Sequence, residues 1–120
     1  MDKKNVFLFG ASGGIGKEIL SMLDEELYSV HCFDRTHGFD LLALDVLHNI
    51  EVHLTKNDLV DKCDILIYAC GIGRFGLFKE TKLSKDIWEK VHLNLLLPVL
   101  LSRFFIKSCK HFIFLTSNSA

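Results

Sequence analysis

Glycines at positions 10, 13, 14 and 16 follow the apolar run Val6-Phe7-Leu8-Phe9 and lead into an amphipathic stretch. Strand, glycine turn and helix in that order build a cradle for a pyrophosphate. Glycine lacks the Cβ that holds backbone N–H groups away from an anion, and a helix N-terminus adds a favourable dipole. Asp34 stands 24 positions after Gly10, at the end of a second apolar run, Val30 to Phe33. A carboxylate at the tip of a second strand beside such a loop accepts hydrogen bonds from both hydroxyls of an adenosine ribose. Its charge repels a 2′-phosphate, which argues for NAD over NADP, while the guanidinium of Arg35 argues the other way. Taken singly, the glycines also fit an ordinary strand-to-helix turn, and Asp34-Arg35 a solvated loop.

Spacing excludes two related motifs. A P-loop requires a glycine five positions before Gly-Lys and a hydroxyl after it; here Gly16-Lys17 has Ala11 before it and Glu18 after it. G-x-G-x-x-G also fails, because Ser12 stands two positions after Gly10 and Ile19 three after Gly16. Two registers fit: G-x-x-x-G-x-G through Gly10, Gly14 and Gly16, and G-x-x-G-x-x-G through Gly10, Gly13 and Gly16.

The elements that must position these residues follow from periodicity. A strand is expected over 5–9 and a helix over 14–27, with Ile15, Ile19, Leu20, Leu23 and Leu27 on one side. A second strand covers 30–33, a third 41–44 ending at Asp45-Val46, and a weak helix 47–60. The near-continuous apolar run 64–70, ending at Gly71, reads as a central parallel strand buried on both faces. The longest helix runs from Ser84 or Asp86 to about Ser108, with Pro98 bending it or breaking its bonding. From residue 93 it is apolar nearly all round, so a surface besides the sheet is expected to cover it, such as a second copy packed on the 86–108 helix. A fifth strand, His111 to Leu115, runs into Thr116-Ser117. Strands alternating with helices imply a doubly wound parallel sheet, an α/β fold. Ligands of such sheets bind at the C-terminal strand ends, where the glycine loop, Asp34, Asp45, Gly71 and Ser117 converge.

Composition sets the bounds. The 120 residues are 49% hydrophobic and 24% charged with a net charge of −1, which indicates one globular domain and gives no basic surface for nucleic acid. Lys3 and Lys4 precede an apolar run that Gly10 interrupts, so no leader is expected; Leu93 to Ile106 is too short and too interrupted to span a bilayer. Cys32, Cys63, Cys70 and Cys109 form no C-x-x-C pair and read as free thiols of a cytoplasmic protein, and no metal site is expected.

Together these residues resemble the short-chain dehydrogenase/reductase family, in its standard-length branch and over its N-terminal part. The family's Thr-Gly-x-x-x-Gly-x-Gly loop is matched by Phe9 to Gly16, with Phe9 for Thr. Its acid after the second strand is matched by Asp34, its Asp-Val/Leu pair by Asp45-Val46, and its Trp with Val-x-x-Asn-Leu by Trp88, Val91 and Asn94-Leu95. Its fifth strand ending in Ser-Ser is matched by Thr116-Ser117. The resemblance implies a Rossmann-like sheet, truncated after the fifth strand, in a single incomplete domain over residues 1–120. It implies an NAD(P) cofactor along Gly10, Ser12, Gly13, Gly14, Ile15, Gly16, Asp34, Arg35, Asp45, Val46, Ala69, Cys70 and Gly71. By the same resemblance Asn94 holds a proton-relay water and Ser117 hydrogen-bonds a carbonyl or alcohol substrate.

The chain departs from the family's pattern in two informative places. The family's Asn-Asn-Ala-Gly appears as Tyr68-Ala69-Cys70-Gly71, which keeps only the glycine. The family's acid/base, a Tyr followed four positions later by Lys, has no counterpart: Tyr28 is followed at that spacing by Cys32, and Tyr68 by Ile72. Two readings follow: an oxidoreductase chain lacking its proton donor, or a dinucleotide-binding module that works without turnover. A third, nucleotide-sugar epimerase of the longer branch, shares the second glycine register and is disfavoured by the Trp88-to-Asn94 pattern.

Overall fold

The computed structural model describes residues 2–70 and 83–115. Strand β1 (Lys4–Phe9) leads through the glycine loop into helix α1 (Gly14–Met22), and strand β2 (Tyr28–Phe33) follows. Helix α2 (Val46–Lys56), strand β3 (Ile65–Tyr68), helix α3 (Leu83–Val91), a π-helical turn (His92–Leu96), helix α4 (Leu97–Phe105) and strand β4 (His111–Phe114) complete the described chain. The four strands are parallel in the order β2-β1-β3-β4.

Period-two alternation in the strands feeds two apolar layers. Val6 and Leu8 of β1 and Ile67 of β3 face Ile19, Leu20 and Leu23 on the α1 side. Phe7, Phe9, Leu66 and Tyr68 face the other way, against Ile50 and Leu54 of α2 and Leu97, Leu101 and Phe105 of α4. Helices cover both faces, so the sheet is doubly wound and α/β, as expected. Phe9 stacks on Phe33 with ring centroids 4.7 Å apart, which ties β1 to β2 just below the glycine loop.

The expected strand over 41–44 does not form. Leu44 is 96% exposed, and the Asp40 carboxylate accepts from Leu42 N–H at 3.0 Å, bending the chain. The reason is connection length: a parallel neighbour needs a crossover of about a dozen residues, and only residues 34–40 separate β2 from Leu41. The segment instead folds back over β2, with Phe39 against Phe33 and His53 at ring distances of 4.9 and 5.2 Å and Leu41 in the core. Asp45 therefore ends no strand; it is the residue before α2.

Two helix expectations also change. The first helix stops at Met22, and Leu23 and Tyr28 N–H groups return to Leu20 and Asp24 carbonyls. Leu27 lies outside it and is exposed, as is Ile15 at its opening turn, so the buried stripe is Ile19, Leu20 and Leu23. Helix α2 ends at Lys56: Asn57 caps it, and Asp58 turns left-handed with φ 53° while Leu59 N–H reaches back to Leu54 O.

The long helix behaves at Pro98 as its chemistry demands. In the π turn the Leu97 N–H bonds to His92 O, five residues back. Continued by one residue, that pattern assigns the donor for Leu93 O to position 98, which is proline and has none. The hydroxyl of Tyr68, on β3, donates to Leu93 O at 2.5 Å and takes that place. A strand side chain thus repairs a bond that the helix cannot make.

Candidate functional site

All four strands run the same way, so the glycine loop after β1, Asp34 after β2 and Ala69-Cys70 after β3 share one edge of the sheet. Two of the glycines are sterically required there. Gly10 has φ 92°, and a Cβ on it would stand 2.7 Å from Cys70 Sγ and 3.0 Å from the backbone of Ala69 and Cys70. A Cβ on Gly16 would overlap the Gly10 carbonyl, so α1 can approach the loop only with glycine at that position.

The two registers can now be separated. Gly14 has φ 28°, in the left-handed region, whereas Gly13 has an ordinary extended backbone (φ −119°, ψ 150°) with open space around it. Steric need falls on Gly10, Gly14 and Gly16, the G-x-x-x-G-x-G register.

Helix α1 starts without a cap. No side chain bonds its first turn, which holds no acidic residue, and the first N–H returning within the helix is Lys17 to Gly13 O at 3.1 Å. The N–H groups of Gly14, Ile15 and Gly16 have no carbonyl one turn earlier to receive them. Ser12, Gly13, Gly14 and Ile15 are exposed around this opening. Unsatisfied donors at the positive end of a helix dipole form an anion site.

Asp34 occupies its expected place with its carboxylate turned inward. It is only 3% exposed; Oδ2 accepts from Ala11 N–H at 3.1 Å, and Oδ1 from His37 N–H at 3.1 Å with His37 Nδ1 at 2.8 Å. The carboxylate thereby fastens the glycine loop to the end of β2. Its charge is felt nearby: burial first, and Asp34 second, raise the Cys32 thiol above its ordinary value. Cys70 is pushed up to about 12, chiefly by burial and further by Asp34, with the Tyr68 hydroxyl pulling the other way. Cys70 beside Gly10 is therefore a neutral thiol, a packing group at the floor of the loop. Arg35 points outward, its guanidinium 3.8 Å from Asp40.

The other expected residues divide. Asp45 is exposed at the start of α2, while Val46 is buried in the core. Asn94 is exposed in the middle of the π turn, and the Tyr68 bond to Leu93 connects that turn to the strand that carries Ala69 and Cys70. Gly71 and Ser117 lie outside the described residues.

Two contributors escape a motif reading. Tyr68 is buried, and burial, then the neighbouring Cys70, raise its phenol well above the ordinary range, so it acts as a hydrogen-bond donor and not as an acid/base. The usable signal was Pro98, whose missing N–H calls for an outside donor. His92 is the other: buried in the π turn, it places Nε2 2.9 Å from Leu41 O and pins the 39–45 segment, while Nδ1 has no partner among the described residues.

No protein-family model matches the chain, and no curated protein sequence does. Solved structures do match. A 4-hydroxyisoleucine dehydrogenase complexed with NADH aligns with TM-score 0.71 and 25% identity over 88% of this chain and 49% of its own. A small-chain dehydrogenase in complex with NADPH aligns with TM-score 0.69 and 20% identity over 91% and 47%. A short chain dehydrogenase family protein from Francisella tularensis subsp. tularensis SCHU S4 aligns with TM-score 0.76 and 16% identity over 98% and 52%. The chain thus spans about half the length of these structures.

Proposed function

We propose that this chain, which belongs to the short-chain dehydrogenase/reductase family and spans about half the length of its solved relatives, holds a nicotinamide dinucleotide at the C-terminal edge of its sheet. The observation that carries the reading is the uncapped N-terminus of α1, entered through Gly10 and pressed onto the loop at Gly16. The N–H groups of Gly14, Ile15 and Gly16, with Ser12 and Gly13 beside them, would hold the pyrophosphate. Asp34, Arg35 and Asp45, with Val46 buried behind them, would hold the adenosine end, and Ala69 and Cys70 the nicotinamide end, to which the family resemblance also assigns Gly71. NADH is bound by one structural neighbour and NADPH by another. For this chain NAD is the proposed form, on the ground that a carboxylate at the end of β2 would repel a 2′-phosphate brought to that strand tip.

When bound, the cofactor supplies a hydride at its nicotinamide ring for exchange with a carbonyl or alcohol carbon. The chain's own residues would bind and orient: Asn94, on the π turn, and Ser117 are assigned to the reacting end by the family resemblance alone. A proton must also move, and neither tyrosine serves. Tyr68 is committed to Leu93 O, and no lysine stands four positions after either tyrosine. Within residues 1–120, proposed as a single domain, the oxidoreductase reading therefore stands beside its alternative, a dinucleotide-binding module without turnover. The apolar row Trp88, Leu95 and Val99 is exposed and is proposed to meet a second copy. Among the described residues no helix is long and apolar enough to cross a membrane, and a cytoplasmic setting accompanies the proposal.

Titration of the chain with NADH and NADPH, followed by nicotinamide fluorescence, tests the cofactor assignment. NADH binds tighter than NADPH, and Asp34→Asn, which keeps an acceptor toward Ala11, narrows the difference. Equal affinities before and after the substitution remove the NAD assignment, and no binding of either removes the proposal. Binding without NADH oxidation across a panel of aldehydes and ketones selects the module over the enzyme.

A further inference from the structure

We propose that Cys63 and Cys109 form a redox site, a thiol pair that closes into an intrachain disulfide across the base of β3 and β4. The register places them opposite each other. Ile65 pairs with His111, and two residues earlier on each strand the same register opposes Cys63 to Cys109. The ladder continues to that point: His111 N–H donates to Asp64 O at 3.1 Å, and Lys110 N–H to Cys63 O at 3.4 Å. Neighbouring strands lie about 4.8 Å apart, inside the roughly 4.4–6.8 Å between Cα atoms that a disulfide spans. Both side chains point into the same apolar layer, and their sulfurs are 3.0 Å apart. The Cys63 thiol donates to Cys109 Sγ, and the Cys109 thiol donates to His111 O at 3.2 Å.

The other two cysteines cannot compete for this partner. Cys32 packs in the layer on the opposite face of the sheet, and Cys70 lies at the far end of β3 beside Gly10. The pairing is therefore unique among the four thiols.

Chemistry sets the order of events. Burial, reinforced by the Cys109 contact, raises the Cys63 thiol far above its ordinary value, so Cys63 is a poor first nucleophile. Cys109, next to the outermost described strand, attacks a small-molecule disulfide such as oxidised glutathione. A Cys109–glutathione bond forms and one glutathione leaves. Cys63 then gives up its proton and attacks the Cys109 sulfur, and the second glutathione leaves. The two cysteine protons end on two glutathione thiols, and the two electrons lost by the cysteine sulfurs reduce the added disulfide. Because both thiols are covered, the reaction waits on opening of the β3–β4 base, and its rate rises in sub-denaturing urea.

The test is incubation of the 120-residue chain with excess oxidised glutathione at low urea, then alkylation and non-reducing peptide mass mapping. The expected product is lighter by two hydrogen atoms, contains one peptide linking Cys63 to Cys109, and leaves Cys32 and Cys70 free for alkylation. Its melting temperature exceeds that of the reduced chain, and dithiothreitol reverses both changes. Cys109→Ser abolishes the linked peptide. Recovery of Cys63 and Cys109 as alkylated thiols after the same incubation overturns the proposal. So does a stable glutathione adduct on either residue without ring closure. Both readouts come from the unsubstituted chain, so neither depends on the variant folding.

Discussion

The two ends of the sheet are built to opposite specifications. At the N-terminal end of the strands, polar groups are cross-bonded. Asp64 N–H donates to Asn5 O at 3.0 Å, Asn5 N–H returns to Asp64 Oδ2 at 2.8 Å, and Lys110 Nζ stands 3.2 Å from Asp64 Oδ1. Lys4 N–H reaches Leu27 O at 3.0 Å, and the thiols of Cys63 and Cys109 fill the space beneath. At the C-terminal end, the first turn of α1 has no side-chain cap and the residues around it are exposed. One end satisfies its donors internally; the other leaves the first donors of α1 without a side-chain cap. A parallel sheet makes this asymmetry natural, because its helices begin at the C-terminal edge and point their positive ends there.

The largest expected effect breaks the open end. Gly16→Ala drives a methyl into the Gly10 carbonyl, a backbone atom that cannot step aside. Overpacking of this kind costs about 1–3 kcal/mol and more where the backbone must shift, so loss of several degrees in melting temperature and of dinucleotide binding is expected together. Gly13→Ala is the matched control, since its backbone is extended and nothing lies within 4 Å of the added methyl. Its stability change is expected within about 0.5 kcal/mol. Urea titration of both variants measures the contrast. Similar losses at 13 and 16 would contradict the assignment of the steric register.

A smaller effect probes the link between the open end and the long helix. Tyr68→Phe leaves Leu93 O without its donor inside the core, which costs about 1–3 kcal/mol. Pro98→Ala restores a backbone N–H to the helix, so the Tyr68 hydroxyl is no longer needed. In the double variant the Tyr68→Phe cost is expected to shrink by about 1 kcal/mol or more. Additive losses in the double-mutant cycle would show that the hydroxyl does not stand in for the proline's missing bond.

These two pairs also show what could be read in advance. The apolar runs Val6-Phe7-Leu8-Phe9 and Ile65 to Tyr68, the glycine spacing and Asp34 placed β1, β3, the loop and the end of β2 from local pattern alone. The 41–44 segment misled because an apolar tetrad looks alike whether it joins a sheet or folds over one; the short 34–40 connection, a topological constraint, decided it. Asp34 does follow β2 beside the loop, but its bonds to Ala11 and His37 depend on how the loop packs, and residue type cannot report that. Tyr68 and Leu93 are brought together by a helix docking on a strand, a contact between residues 25 apart in sequence. The pairing of Cys63 with Cys109 required the β3–β4 register, which exists only once the sheet is assembled.

The smallest effect sharpens the closed end and is read through pH. The Asn5 N–H bond, with Lys110 adding to it, holds the Asp64 carboxyl below its ordinary value of 3.8. With the folded value below the unfolded one, the unfolded chain binds the proton first as pH falls. The stabilisation is therefore complete above pH 3.8 and is lost as pH drops through the lower folded value. Asp64→Ala removes the acceptor for Asn5 and is expected to cost about 0.5–1.5 kcal/mol near neutral pH. Below pH 3.8 the wild-type chain loses stability faster than the variant, and their urea midpoints converge. A constant separation from neutral to acid pH would mean that Asp64 contributes by packing alone, and that charge plays no part in closing this end of the sheet.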